Sequence, residues 1–228
     1  GGKLCTGNRG GVGYSFSQTS DMELSPDGTT LAVAGSFDDV VTFIDVASWT
    51  VLGDALTGDF PTELAWSDDS STVYVSIRNF NTGSNAPDIV QVIDAASRTV
   101  TADILVGDNP YTLVPNGDTL YVANWRSETI SAVDLTTNSV VATIPVPNNP
   151  VGMVLDAGLL YVATGTGTTS FGGPDGFSQA QSGEFTVIDT ATNAITDTIN
   201  VDQNPANLYA AGGTLAAPRG VAADPRRR

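Results

Sequence analysis

The chain contains no histidine, one cysteine (Cys5) and one lysine (Lys3) among its 228 residues. The missing histidine removes the commonest general base, the usual zinc ligand and the Ser-His-Asp triad together. Proton chemistry within this stretch is left to carboxylates, tyrosines, arginines, Lys3 and Cys5. A single cysteine excludes an internal disulfide. Leu4-Cys5 has the look of a lipidated bacterial N-terminus, but Gly2 and Lys3 depart from the small residues such a site needs, and a free thiol is the simpler reading. No run approaches the roughly 18 to 20 apolar residues that span a bilayer, and no basic-then-apolar leader is present. The chain begins without methionine and stops inside a pattern, so it is expected to be processed or a fragment.

Basic residues are scarce as well. Twenty-five acidic side chains face nine basic ones, a formal charge of −16. Such a surface repels a phosphate backbone and an anionic membrane, so neither nucleic acid nor membrane insertion is expected. An acidic, soluble surface accounts for the charge; a surface dedicated to a cationic partner is the sharper alternative. The helix formers Lys, Glu and Gln are few, while Gly, Thr, Ser, Asp and Val abound. With 41% hydrophobic and 15% charged residues, the composition points to a folded protein of strands and tight turns.

What is present is a repeat. Four segments share an apolar residue followed by Asp and a small turn: Phe43 to Val51, Val92 to Val100, Ala132 to Val140 and Val187 to Ile195. Upstream of each lies a β-rich run, Leu31 to Ala34, Val73 to Ser76, Leu120 to Ala123 and Leu160 to Ala163. Before these come a turn (Pro26-Asp27-Gly28, Asp68-Asp69-Ser70, Asn116-Gly117, Ala157-Gly158) and another strand, and each later copy opens at a proline, Pro61, Pro110, Pro150 or Pro205. The unit is four short strands over about 40 to 55 residues, the length of a propeller blade. The expected fold is all-β, a β-propeller of four-stranded antiparallel blades. It forms one domain over residues 1–228, with blades at about 21–59, 60–108, 109–147 and 148–203 and a partial fifth at 204–228. The recurring Asp45, Asp94, Asp134 and Asp189 are assigned to turn capping, because a residue repeated in every blade serves the blade.

Leu120-Tyr121-Val122-Ala123-Asn124, then Thr129 to Asp134 and the strand ending at Val146, resembles the YVTN repeat family of β-propellers. The likeness runs from Met22 to Leu215. It implies a ring, usually of seven blades, and a surface-layer or periplasmic setting. Two departures are visible: Ala32 stands where tyrosine is usual, and the last copy reads Leu215-Ala216-Ala217-Pro218. A self-contained five-bladed ring is the alternative to truncation.

In propellers of this type ligands meet one face, built by the loops before the first strand and between the second and third. The second group is uneven here, from the short Asn124 to Glu128 loop to the Gly- and Ser-rich insertion between Gly165 and Gly183. Phe37, Arg78, Phe80, Trp125, Arg126 and Phe171 fall on it, an aromatic-plus-arginine composition common at binding hot spots. Covering of blade edges and local ion pairing explain the same residues without a ligand. Asp38, Asp39 and Asp88 have oxygen ligands of the kind calcium takes, although paired loop carboxylates are usually just solvated, and no metal site is assigned. No catalytic residue and no cofactor are implied. The leading expectation is a non-catalytic secreted or cell-surface propeller that binds a protein or glycan through the uneven face. The alternative is a propeller subunit or fragment of an enzyme, amine-dehydrogenase-like or lactonase- or lyase-like, whose catalytic groups lie elsewhere.

Overall fold

A computed structural model describes residues 19–78, 88–166 and 182–200. They form four separate four-stranded antiparallel sheets, each ordered as the chain runs. The first holds β1 (Thr19–Leu24), β2 (Thr30–Gly35), β3 (Val40–Asp45) and β4 (Thr50–Leu56). The second holds β5 (Pro61–Trp66), β6 (Thr72–Ile77), β7 (Ile89–Asp94) and β8 (Thr99–Leu105). The third holds β9 (Pro110–Asn116), β10 (Thr119–Asn124), β11 (Thr129–Asp134) and β12 (Ser139–Pro145). The fourth holds β13 (Asn149–Asp156), β14 (Leu159–Thr166), β15 (Ser182–Asp189) and β16 (Ala194–Asn200). The first strands β1, β5, β9 and β13 are neighbours from sheet to sheet, so each blade places its first strand innermost and its fourth outermost.

Burial follows that order. The second strands β6 and β10 are buried on both faces after their first residue, whereas β8 and β12 alternate between exposed and covered positions. A strand flanked by sheets on both sides reads as a continuous apolar run, and an outer strand keeps the period of two. Three cores form, one in each seam between successive blades. The seams are not copies. In the third seam the Tyr121 hydroxyl donates to Thr190 O at 3.2 Å and Asn193 Oδ1 at 3.0 Å across the gap. In the first seam the equivalent residue is Ala32, and the volume is filled by Phe43 packed edge-on against Trp66, centroids 6.0 Å apart. Close-packed interiors require such volume compensation.

The turns take their shape from side chains. Asp45 and Asp94 each accept from the backbone N–H of Ser48 or Ser97 at 2.7 Å and from its hydroxyl at 2.6 Å. Asp134 does the same with Thr136 at 2.7 and 2.6 Å, and Asp189 with Thr192 at 2.9 and 3.0 Å. These bonds hold all four carboxyls below the usual carboxylate range, led by the Ser or Thr hydroxyl in the first three and by the Thr192 N–H at Asp189. The turn then passes through a left-handed residue, Trp49, Arg98, Asn138 or Asn193, at φ of 51 to 54° or, for Arg98, 55°. Every fourth strand carries a one-residue bulge; Thr101 and Thr196 sit there and donate their hydroxyls to Val92 O and Val187 O.

Candidate functional site: the loop end of the blades

The loops after β2, β6 and β10 lie at the same end as the connections into β5, β9 and β13, and hydrogen bonds join the two sets. Arg78 N donates to Phe60 O at 3.3 Å, and Trp125 N donates to Asn109 O at 2.8 Å. Arg126 N reaches Asp108 O at 3.2 Å, and Thr57 N reaches Asp39 O at 2.9 Å. Phe60 and Asn109 take left-handed φ of 62° and 61°, turning the chain into the proline that opens the next first strand.

Beneath these loops a polar plug recurs in altered form. Asn124, fully buried, accepts from Gly107 N–H at 3.1 Å and donates to Thr129 at 3.1 Å and Ser131 at 2.9 Å. In the second blade Ile77 occupies the Asn124 position. Gln91, one strand over, accepts from Gly58 N–H at 2.9 Å and donates to Asp103 at 2.9 Å. In the fourth blade Pro147 replaces the glycine, so there is no N–H to satisfy, and Thr164 replaces the asparagine. The glycine N–H is thus met by a buried side-chain amide in both blades that carry it.

On this platform Phe37 is 52% exposed and meets Phe60 edge-on, centroids 5.4 Å apart. Trp125 is half-buried, with its carbonyl accepting from Asn149 Nδ2 at 2.7 Å, and Arg126 is exposed beside Asp108. Arg78 is drawn inward. Its Nε donates to Pro110 O at 3.3 Å and its guanidinium lies 4.4 Å from the Tyr111 ring centroid. Burial pulls its pKa down, with Tyr111, Glu63 and Asp88 acting in the opposite direction. Ser36, Arg78 and Trp125 hold the same place in successive blades, each just after the second strand. Phe37, Arg78, Trp125 and Arg126 therefore share one end but sit in different seams. Phe80 and Phe171 lie outside the described residues.

Asp39 and Asp88 each accept from a backbone N–H of the neighbouring connection, and Asp88 also shares a side-chain hydrogen bond with Asp108. Asp39 Oδ1 accepts from Phe60 N–H at 3.2 Å and Asp88 Oδ2 from Asn109 N–H at 2.6 Å. Among the described residues no group of three or more Cys, Asp or Glu side chains is placed to hold a metal ion. Asp108 has its carboxyl pushed up by burial, by a side-chain hydrogen bond with Asp88 and by that group's charge, against the pull of Arg126.

One group escaped the sequence reading. Glu63, on the inner strand β5, is pushed up from 4.5 to about 7 by burial and by Asp21, opposed by Arg78, with Glu23 adding to the rise. Asp21 Oδ2 accepts from Leu64 N–H at 2.8 Å, tying β1 to β5. The usable signal was a run of acidic residues at innermost-strand positions, Asp21, Glu23 and Glu63, where the other blades carry Thr112, Val114 and Gly152.

No protein-family model and no curated protein matches the sequence. Solved structures do. Hydrazine synthase of Kuenenia stuttgartiensis aligns over 86% of this chain and 53% of its own, with a TM-score of 0.68 and 22% identity. A structure of U3-55K aligns over 80% and 52%, with a TM-score of 0.61 and 15% identity. The WD40 repeats of RRP9 align over 82% and 52%, at 0.61 and 14%. The chain spans about half the length of each of these matched structures. Repeated four-stranded antiparallel sheets, innermost strand first, with WD40-type neighbours define the class: this is a β-propeller. Likeness at these identities establishes the fold and leaves the function to the site itself.

Proposed function

We propose that this is a YVTN-type propeller of the cell surface or periplasm that binds a protein or glycan, without catalysis, through the loop end of its blades. One observation carries the reading: exposed Phe37 and Arg126 and half-exposed Trp125 stand on loops whose backbones are already fixed by hydrogen bonds. A preorganised platform loses little entropy on binding, and aromatic and arginine side chains are the usual anchors. Loops on a rigid scaffold are where repeat folds carry recognition.

The test is a glycan array and a panel of purified envelope proteins probed with the wild-type chain and with a Phe37→Ala, Trp125→Ala, Arg126→Ala triple variant. Binding lost in the triple variant and kept in Thr137→Ala, at the opposite end, supports the reading. A ligand bound equally by all three proteins refutes it.

A further inference from the structure

The loops that meet over the first seam, Ser36 to Asp39 and Thr57 to Phe60, carry two phenylalanines, three aspartates and no basic residue. Their donors are turned inward. Ser36 Oγ donates to Pro61 O at 2.8 Å, Asp38 N to Gly35 O at 3.1 Å and Thr57 N to Asp39 O at 2.9 Å. Gly58 N donates to Gln91 Oε1 at 2.9 Å and Phe60 N to Asp39 Oδ1 at 3.2 Å. The acceptors are in surplus, because an ionised carboxylate takes several hydrogen bonds. Asp38 Oδ2 is covered and has no hydrogen-bond partner. Next to it in the chain, Phe37 is 52% exposed and meets Phe60 edge-on, so an aromatic ring stands open to solvent.

The later loops are different. Among the described residues the basic side chains are Arg78, Arg98 and Arg126, and Arg98 lies in a turn at the opposite end. Arg78 interacts with Glu63 and Asp88, and Arg126 with Asp108, so the second and third blades bring a cation to their own carboxylates. The loops of the first seam bring none.

We propose that the first-seam loops take an arginine-bearing segment of a partner protein, its guanidinium against the Phe37 ring and its N–H groups donating to Asp38 and the aspartates beside it. This rests on the loop end being the binding face, and it narrows the ligand there to one chemistry. Glycan hydroxyls ask for donors and acceptors in turn, and the donors of this patch already have partners. A guanidinium brings donors only, in a planar fork that reaches more than one carboxylate and stacks on an aromatic face. A donor arriving at Asp38 also relieves an acceptor that the fold leaves unmatched. The formal charge of −16 draws such a segment in from a distance.

The probe is a fluorescent glycine peptide with spaced arginines, titrated into the full-length polypeptide and followed by anisotropy. Wild type is expected to bind it. Asp38→Asn keeps the side chain's shape and should weaken binding about tenfold, the worth of one charge-assisted hydrogen bond. Phe37→Leu keeps the apolar bulk without the ring and should weaken it about fivefold. Asp118→Asn makes the same charge change in the β9–β10 turn at the opposite end and should shift affinity less than about twofold. No binding of the peptide overturns the proposal, as do equal losses in Asp38→Asn and Asp118→Asn, which assign the attraction to the chain's general acidity. So does an envelope ligand that Asp38→Asn binds as well as wild type but the Phe37, Trp125 and Arg126 triple variant loses; that result leaves the loop end as the binding face. The broader reading falls with it only where the triple variant keeps the ligand too.

Discussion

Replacing Asn124 with alanine tests whether the polar plug holds the loop platform. The side chain is fully buried and makes three hydrogen bonds, to Gly107 N–H at 3.1 Å, Thr129 at 3.1 Å and Ser131 at 2.9 Å. Each contributes about 1 kcal/mol net, and an orphaned donor adds to the loss, so about 3 kcal/mol is expected. At about 2–4 °C per kcal/mol for a chain of this size, the melting temperature falls by roughly 6–12 °C. Urea unfolding followed by circular dichroism gives the midpoint, and the slope m should not change.

The fourth blade supplies the control. Thr164 occupies the same position, is equally buried, and among the described residues makes one long bond, to Glu184 O at 3.3 Å. Pro147 has no N–H for it to satisfy, so Thr164→Ala should cost about 1 kcal/mol. If Asn124→Ala costs no more than Thr164→Ala, the plug is not what holds the loop.

Gly107→Ala should destabilise by about 1–3 kcal/mol in thermal melts, because the new Cβ stands 2.7 Å from Asn124 Cγ in a packed interior. Glu128 is exposed and left-handed at φ 53°, and Glu128→Asn should raise the unfolding free energy from urea titrations by about 0.5 kcal/mol, since asparagine tolerates that conformation better. Asp134→Ala should lower the urea midpoint, and the difference from wild type should shrink as pH falls and the carboxylate that caps Thr136 is protonated.

Much of this was legible before any coordinates. Four strands per copy, the Asp-centred turns and the prolines that open each blade all follow from local chemistry, which repeats with the chain. The Ala32 departure was visible too, but its reason was not: Phe43 and Trp66, which fill the space, come from two blades and are joined only across a seam. The same holds for Asn124. Its place in the Tyr-Val-Ala-Asn run marks the family likeness, yet its partner Gly107 lies in the preceding connection, and Gln91 does the equivalent work from a different strand. Repeats disclose what each blade keeps and hide how adjacent blades trade residues. Arg78 shows the cost for site reading, since a charge expected on the open face turns inward onto Tyr111 and Pro110.

That inward turn brings the arginine toward Glu63, and the pair sets a pH dependence of definite sign. Glu63 titrates at about 7 in the folded chain against 4.5 ordinarily, so the folded state binds the proton more tightly. Its effect on stability is most favourable below the unfolded value and is lost as pH rises from about 4.5 to 7. A shift of that size corresponds to at most about 3 kcal/mol, and partial solvent contact reduces it to about 1–2 kcal/mol. The turn aspartates act in the other direction: Asp69, held down to about 2 by Ser67 and Ser71, loses its contribution as pH falls from about 4 toward 2. Stability should therefore peak on the acid side of neutrality. Glu63→Gln should flatten the decline between pH 5 and 8 and melt higher than wild type at pH 8, because no carboxylate is then forced to ionise beside Asp21. A wild-type chain as stable at pH 8 as at pH 5 would show instead that Arg78 neutralises Glu63 fully, and that the inner strands carry no electrostatic strain.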